Sequence, residues 1–361
     1  MPLRILQVDA ERGWRGGQRQ TLLLSQELAR RGHACIVAAR TGDALAARAR
    51  SAGLRVVDIR PRSEVGLLTV LALRRLIERE RIDVVHAQAS HAFGLAALAT
   101  YGTRARLVVT RHLARAPRSN PGTRWKYARA DAVIAVSRAA ADALDAAGVA
   151  RVPIDVVPGG VEVPRTIAGA TGSVLEPLGV APGAPLVVGV GALVPQKDPL
   201  TFVRAVHALR GVLPDVQALW AGDGELRRDV EREIAALRLE HTVHLAGFRD
   251  DVDALMSAGS LFALSSRFEG LPLVIMDAFA LGLPVVATAG SGVPELVTDG
   301  VTGLLSPVGD AAALAESMRR VLTDPALAAQ LRRGALARAP EYSIERTAER
   351  TLMVYERVLA R

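Results

Sequence analysis

The stretch SRFEGLPLVIMDAFALGLPVVAT, residues 266–288, sets two carboxylates, Glu269 and Asp277, around a Gly-Leu-Pro turn in a run that holds almost nothing else polar. Apolar segments flank it, SLFALSS (260–266) before and PVVAT (284–288) within its end, and each has the length of a buried strand. Pro272 suits the first helical position, where its missing N–H costs nothing. A helix starting there leaves the amides of Leu271, Leu273 and Val274 free as donors for phosphate or sugar oxygens. Glu269 then lies on the loop before the helix and Asp277 about a turn and a half inside it. Together they can reach two parts of one elongated ligand; taken singly, either reads by default as a solvated acid favoured by the helix dipole.

Outward from this unit the same alternation repeats. LVVGVGAL (186–193), VQALWAG (216–222), TVHLAG (242–247) and TGLLSP (302–307) complete a set of strands separated by helical segments. The N-terminal half has its own set: ILQV (5–8), CIVAA (35–39), LRVVDI (54–59), DVVHA (83–87), RLVVT (106–110), DAVIAV (131–136) and IDVVP (154–158). Amphipathic stretches at 17–33, 71–81 and 137–148 lie between them, the last with Ser137 as N-cap and Gly148 as stop. Strands apolar on both faces that alternate with helices imply parallel sheets covered on both sides. The fold class predicted is α/β, with two Rossmann-like doubly wound parallel-sheet domains facing an interdomain cleft. The domains run over 1–165 and 185–340, with a Gly/Pro-rich linker at 166–184 and a C-terminal helix at 341–361 packing back toward the N-terminal domain.

The 361 residues suit two domains, and half are hydrophobic, enough for two cores. Forty-five basic against 37 acidic residues give a charge of +8, compatible with several kinds of anionic partner. The few aromatics form no stacking platform among basic residues, which argues against nucleic acid. The lone Cys35 excludes an internal disulfide and a Cys-based zinc cluster, and reads as a small buried hydrophobe. No apolar run approaches a membrane span, no signal-peptide core is evident, and the expected location is cytoplasmic, at the inner face of the membrane if an anionic surface is met.

No GxGxxG dinucleotide fingerprint and no GxxxxGK[ST] phosphate loop is present. GVGALV (189–194) and GDGELR (222–227) each offer two glycines, which serve either a ligand or a tight turn. GWRGGQRQTLLL (13–24) follows the first strand and opens the first helix, so Gly16 and Gly17 allow a ligand close to helix N-terminal amides. In GALVPQKDPLTFVRA (191–205), Lys197 precedes Asp198 and Pro199, a good N-cap and first-turn pair, and sits where it could meet a diphosphate. DDVD (250–253) resembles a metal-binding Asp-x-Asp, yet it precedes a helix and reads better as an N-cap with first-turn acids; no metal or other cofactor is implied. RHLARAPRSNPGTRWKYARA (111–130) carries six Lys and Arg residues and no acid, with Trp125 and Tyr127. It reads either as a solvated basic loop or as a contact for anionic headgroups or a phosphorylated glycolipid acceptor, with Arg15, Arg111, Arg124, Trp125 and Lys126 as the residues for that role.

Taken together, these segments resemble a retaining glycosyltransferase of family 4 with the GT-B fold (glycosyl transferases group 1). The likeness covers nearly the whole chain and is most specific in RFEGLPLVIMDAFALGLPVVAT with GSGVPELVTDGVTGLL (290–305). It implies a nucleotide-diphosphate sugar bound by the C-terminal domain and a glycan or glycolipid acceptor by the N-terminal one, with roles in cell-envelope polysaccharide or lipopolysaccharide synthesis. Carried over, Lys197 binds the diphosphate, and Arg249 with Asp251 belong to the base-binding loop. Glu269 meets the donor sugar's hydroxyls, with Gly270, Leu271 and Leu273 beside it, and Asp277 meets the ribose. His112 lies near the reacting centre and Gly17 near the donor phosphates. His112, Glu269 and Lys197 are thereby the catalytic candidates. The chain departs from the family at Asp277, where a second Glu is usual, at Ala192, where an Arg commonly joins the Lys, and at Gly159, where Asn is frequent. A nucleotide-sugar 2-epimerase of the same fold and a non-catalytic nucleotide-sugar-binding homologue are the alternatives.

Overall fold

The computed structural model describes residues 2–61, 63, 66–163 and 174–361, and the chain divides into two compact units. Met1–Val161 with Tyr342–Arg361 form one, and Glu162–Glu341 the other. Residues 166–173 of the predicted linker lie outside the described residues; its described remainder contains one 3₁₀ turn, Glu176–Leu178.

Among the described residues seven strands build the first unit: β1 (Arg4–Asp9), β2 (Ala34–Arg40), β3 (Arg55–Ile59), β4 (Val84–Ala87), β5 (Arg106–Arg111), β6 (Ala132–Ala135) and β7 (Ile154–Val156). They pair in parallel in the order β3-β2-β1-β4-β5-β6-β7. The helices are α1 (Gly16–Arg30), α2 (Ala44–Ser51), α3 (Leu67–Glu80), α4 (Ser90–Ala99), α5 (Pro121–Arg129) and α6 (Arg138–Ala147). Alternate residues of one strand serve two cores, because successive side chains leave a strand on opposite faces. Leu6 and Val8 pack with Leu73, Leu76 and Phe93, whereas Ile5 packs with Leu24 and Leu28 of α1 and with Val354 and Tyr355 of the last helix. Ser137 caps α6 by accepting from the Ala140 amide at 3.1 Å, and Gly148 ends it in the left-handed region at φ 57°. Cys35 is buried at the start of β2, where desolvation pushes its thiol up to about 12.

In the second unit β8 (Leu186–Val190), β9 (Gln217–Ala221), β10 (Val243–Gly247), β11 (Leu261–Leu264), β12 (Val285–Thr288) and β13 (Leu304–Ser306) form a parallel sheet of order β10-β9-β8-β11-β12-β13. Its helices are α7 (Pro199–Arg210), α8 (Arg227–Ala236), α9 (Val252–Ser257), α10 (Leu273–Ala280), α11 (Val293–Leu296), α12 (Ala311–Thr323) and α13 (Pro325–Arg338). Trp220 and Phe202 meet edge to face in its core with centroids 5.0 Å apart. The thirteen apolar runs read from the sequence are the thirteen strands of the described residues.

The last helix, α14 (Ile344–Leu359), belongs to the first unit. Its entry is pinned by Val161 N–H to the Tyr342 carbonyl at 2.9 Å and by Ile344 N–H to the Val161 carbonyl at 2.8 Å. A Cβ on Gly160 would lie 2.5 Å from the Thr347 hydroxyl, so only glycine lets the two segments approach this closely. Arg357 forks onto Asp155 of β7.

Candidate functional site

Strand order reverses between β1 and β4 in the first sheet and between β8 and β11 in the second. At such a switch point the connections leave toward opposite faces and a crevice opens at the strands' carboxyl ends. Lys197 comes from the loop after β8 and Glu269 from the loop after β11, so neighbouring strands bring them together.

Lys197 Nζ lies 2.5 Å from Glu269 Oε1, with side-chain exposures of 17% and 7%. The Ser266 hydroxyl donates to the same oxygen at 2.6 Å, and the Gln196 amide reaches Oε2 at 3.4 Å. Glu269 is therefore held by three donors from both loops, which offsets the desolvation of its charge. Asp198, the N-cap of α7, is in the left-handed region at φ 46° and takes the Thr201 amide on its side chain at 3.4 Å. The turn that presents Lys197 is thus strained and capped at once.

Beyond Glu269 the chain departs slightly from expectation. Pro272 is the N-cap of α10, with extended backbone at ψ 111°, and the helix begins at Leu273. The Ile275 amide already bonds back to the Pro272 carbonyl at 3.1 Å. Leu273 and Val274 are left as the first-turn amides, with Gly270 and Leu271 on the loop before them. Asp277 sits inside α10 and is 1% exposed, so this acid is buried rather than solvated. The GSGVPEL segment backs the loop: Gly292 N–H donates to the Glu269 carbonyl at 3.2 Å, and a Cβ at 292 would fall 1.9 Å from the Gly270 oxygen.

The glycines of GVGALV and GDGELR hold two loops together. Gly222 has φ 142°, and a Cβ there would lie 2.0 Å from the Gly191 carbonyl oxygen, which also accepts from the Trp220 indole at 2.8 Å. Arg249 and Asp251 form a two-pronged pair at 2.8 and 2.5 Å, which lowers the Asp251 carboxyl below its usual range. Asp251 does occupy the N-cap position of α9, but its side chain makes no cap bond because Arg249 holds it.

In the first unit the loop after β1 runs into α1 at Gly16. Arg15 is the N-cap, its amide donating to Gln18 Oε1 at 3.0 Å. A Cβ on Gly17 would meet nothing within 4 Å and its φ is not positive, so neither packing nor backbone demands glycine there. His112, just after β5, faces Gln88 with Nε2 3.3 Å from Oε1. Burial, with the adjacent Arg111 charge, lowers its imidazole to about 4. Arg111 itself donates to Ser90 and to the Arg115 carbonyl, with its pKa lowered by burial. Arg124, Trp125 and Lys126 lie on α5, whose N-cap Asn120 accepts from Thr123; Trp125 is 40% exposed, and Lys126 sits over the Phe93 ring at 5.8 Å. Sequence reasoning passed over Asp9, a buried carboxyl closing β1 that accepts from the Thr21 hydroxyl and the Glu11 amide, and whose pKa burial raises. Its position at the end of the first strand, just before the Gly loop, was the available signal.

Two doubly wound parallel sheets, one with a buried cation–carboxylate pair at its switch point, define a two-domain protein of the Rossmann-like α/β class. The chain belongs to the family 4, group 1 glycosyltransferases: the description "Glycosyltransferase Family 4" matches residues 14–165 and "Glycosyl transferases group 1" residues 175–338. It is similar to the 2-deoxystreptamine glucosyltransferase of Streptomyces kanamyceticus, 33% identical over 66% of this chain and 63% of that one. It also resembles the lipopolysaccharide core biosynthesis glycosyltransferase LpsE of Rhizobium meliloti, 34% identical over 41% of this chain and 42% of the relative. The chain spans about half the length of the curated relatives it matches. Among solved structures, Anabaena Alr3699/HepE in complex with UDP and glucose superposes with a TM-score of 0.85 at 24% identity, covering 98% of this chain and 100% of that one. That likeness is one of fold.

Proposed function

We propose that this protein is a retaining glycosyltransferase that moves a sugar from a nucleotide-diphosphate sugar to a hydroxyl of a glycan or glycolipid acceptor, without a metal. The observation that carries the reading is the Lys197–Glu269 pair at the second switch point, beside the first-turn amides of α10. An ammonium has three donors, so Lys197 can keep Glu269 and still meet a diphosphate oxygen. Leaving-group charge on the diphosphate would be stabilised by Lys197 and the amides of Leu273 and Val274, an effect worth several kcal/mol in a dry site. Glu269, already oriented by Ser266, would take the donor sugar's hydroxyls. Asp277 would take the ribose, from roughly 1.5 Å further back than a glutamate would. Arg249 with Asp251 would border the base, and Gly16 and Gly17 would admit the donor phosphates; the open space beside Gly17 supports this. His112, neutral at pH 7, would serve the reacting centre as a hydrogen-bonding group rather than a cation. Front-side attack with retention asks for no carboxylate on the sugar's far face.

The acceptor reading rests on the first unit's basic edge. Arg111, Arg124 and Lys126 lie there, with Leu67 and Leu68 at the start of α3 exposed at 68% and 85%. Helix starts lie at the strands' carboxyl edge, so these apolar and basic residues share one edge of the unit. That composition suits an anionic, partly apolar surface such as glycolipid headgroups at the inner face of a membrane. Among the described residues no helix is long and apolar enough to cross a membrane. Relatives named for lipopolysaccharide core and diphosphoundecaprenol-linked sugars support an envelope acceptor.

The test is a thermal-shift panel of UDP, GDP, ADP, TDP and CMP with and without EDTA, on wild type and Lys197→Ala, followed by product analysis with the matching sugar nucleotides. Ligand at about 100 times its dissociation constant adds about 2.7 kcal/mol to stability. Stabilisation of the wild type alone, unchanged by EDTA, supports the reading. No stabilisation by any nucleotide overturns it, and donor isomerisation without acceptor replaces it with an epimerase.

A further inference from the structure

Behind His112 runs a chain of buried polar side chains that the proposed chemistry does not use. His86 is buried on β4, its Nε2 2.6 Å from the Thr110 hydroxyl and its Nδ1 2.6 Å from the Tyr355 hydroxyl of α14. Gln7 Nε2 reaches the same tyrosine oxygen at 3.4 Å. The Gln88 amide nitrogen donates to Gln7 Oε1 at 2.8 Å and faces His86 Nδ1 at 3.2 Å, while Gln88 Oε1 faces His112 Nε2 at 3.3 Å. Gln7, Gln88, His86 and Tyr355 are each at most 2% exposed, so water offers them no alternative partner.

The donor and acceptor inventory of these groups leaves two self-consistent arrangements. With the amides as placed here, Tyr355 accepts from Gln7 and donates to His86 Nδ1, so His86 carries its proton on Nε2 and gives it to Thr110. Gln88 then turns its oxygen to His112, which must also carry its proton on Nε2. Turning Gln88 over forces Gln7 over, because two amide oxygens cannot face each other. Tyr355 must then donate to Gln7, His86 takes its proton on Nδ1, and His112 accepts from Gln88 and takes its proton on Nδ1. No mixed arrangement satisfies every buried group while both rings are neutral, and burial favours the neutral form of both.

We propose that Gln88 is the positioning residue of His112, and that the chain Gln88–Gln7–Tyr355–His86 locks His112 and His86 into the same tautomer, so that the nitrogen His112 offers to a substrate changes only together with the proton position on His86. The importance of that nitrogen rests on the transferase reading; the lock itself does not, and it is measurable without substrate.

The experiment is a two-bond proton–nitrogen correlation on the full chain labelled with ¹⁵N-histidine at pH 7.5, His86 and His112 being assigned by single substitution. Wild type should show both rings as one tautomer with the proton on the same-named nitrogen. In Gln88→Glu, whose carboxylate accepts on both sides, His112 should hold its proton on Nε2 and His86 on Nδ1. Opposite tautomers in the wild type overturn the proposal, and the wild-type spectrum alone suffices for that. So does a His86 that keeps its proton on Nε2 in Gln88→Glu while the protein remains folded.

Discussion

Lys197 and Glu269 are 72 residues apart in the chain and touch at 2.5 Å because β8 and β11 are neighbours across the switch point. Both are mostly out of water, so each charge depends on the other. Lys197→Met should cost about 3 kcal/mol, the low end for a broken buried pair, since the ammonium retains some exposure. Adding Glu269→Gln should restore much of that loss. Urea unfolding of the two single variants and the double variant measures the coupling; strictly additive losses would refute mutual dependence.

The two kinds of glycine should separate cleanly. Gly222→Ala places a Cβ on the Gly191 carbonyl in a positive-φ site, so its melting temperature should fall by many degrees. Gly17→Ala meets no atom and should leave melting unchanged or slightly raised, while the shift produced by the stabilising nucleotide disappears. Equal melting of both variants would contradict the packing argument, and a normal nucleotide shift in Gly17→Ala would remove that loop from the donor site.

Acid should destabilise the first unit through its buried histidines. His86 and His112 are lowered from the usual 6.5 to about 3 and about 4, so between those values and 6.5 the unfolded chain binds more protons than the folded one. Stability therefore falls as pH drops from about 6.5 toward 4. Denaturant midpoints from pH 8 to 4.5 should show this slope, and His86→Gln should flatten it. A slope unchanged in that variant would assign the acid sensitivity elsewhere.

Ending the chain at Glu341 removes α14 and uncovers Ile5, Leu24 and Leu28. Such a chain should bind a hydrophobic dye and lose the cooperative melting of its first unit. Tyr355→Ala in the full chain should cost about 3–5 kcal/mol. Cooperative melting of the truncated chain at the wild-type temperature would show that the helix is dispensable.

Leu67 and Leu68 are 68% and 85% exposed among the described residues, so Leu67→Ser with Leu68→Ser should change melting little while weakening sedimentation with anionic phospholipid vesicles several-fold. Wild-type protein that stays in the supernatant at low salt would dismiss the membrane reading.

Much of the fold was readable from local pattern. Short apolar runs alternating with amphipathic stretches placed the thirteen strands of the described residues, and Ser137, Gly148 and Asp198 marked helix ends, because caps and turns are decided by neighbours in the chain. Pro272 stands one position earlier than its pattern suggests: its backbone is extended at ψ 111°, so it caps α10 and the helix begins at Leu273. Asp251 was read as a side-chain cap, and the neighbouring Arg249 took its carboxylate instead. By itself the sequence determined the two-sheet class, and it singled out Lys197, Glu269, Asp277 and the Gly loop before α1 as candidates for the site. Only the tertiary structure decided that Lys197 and Glu269 are one buried pair, that the GVG and GDG glycines serve loop contact, and that Gln7, His86, Gln88 and Tyr355 stand behind His112. Those facts depend on strand order and on a helix returning from the far end of the chain, and no local propensity encodes which strands become neighbours.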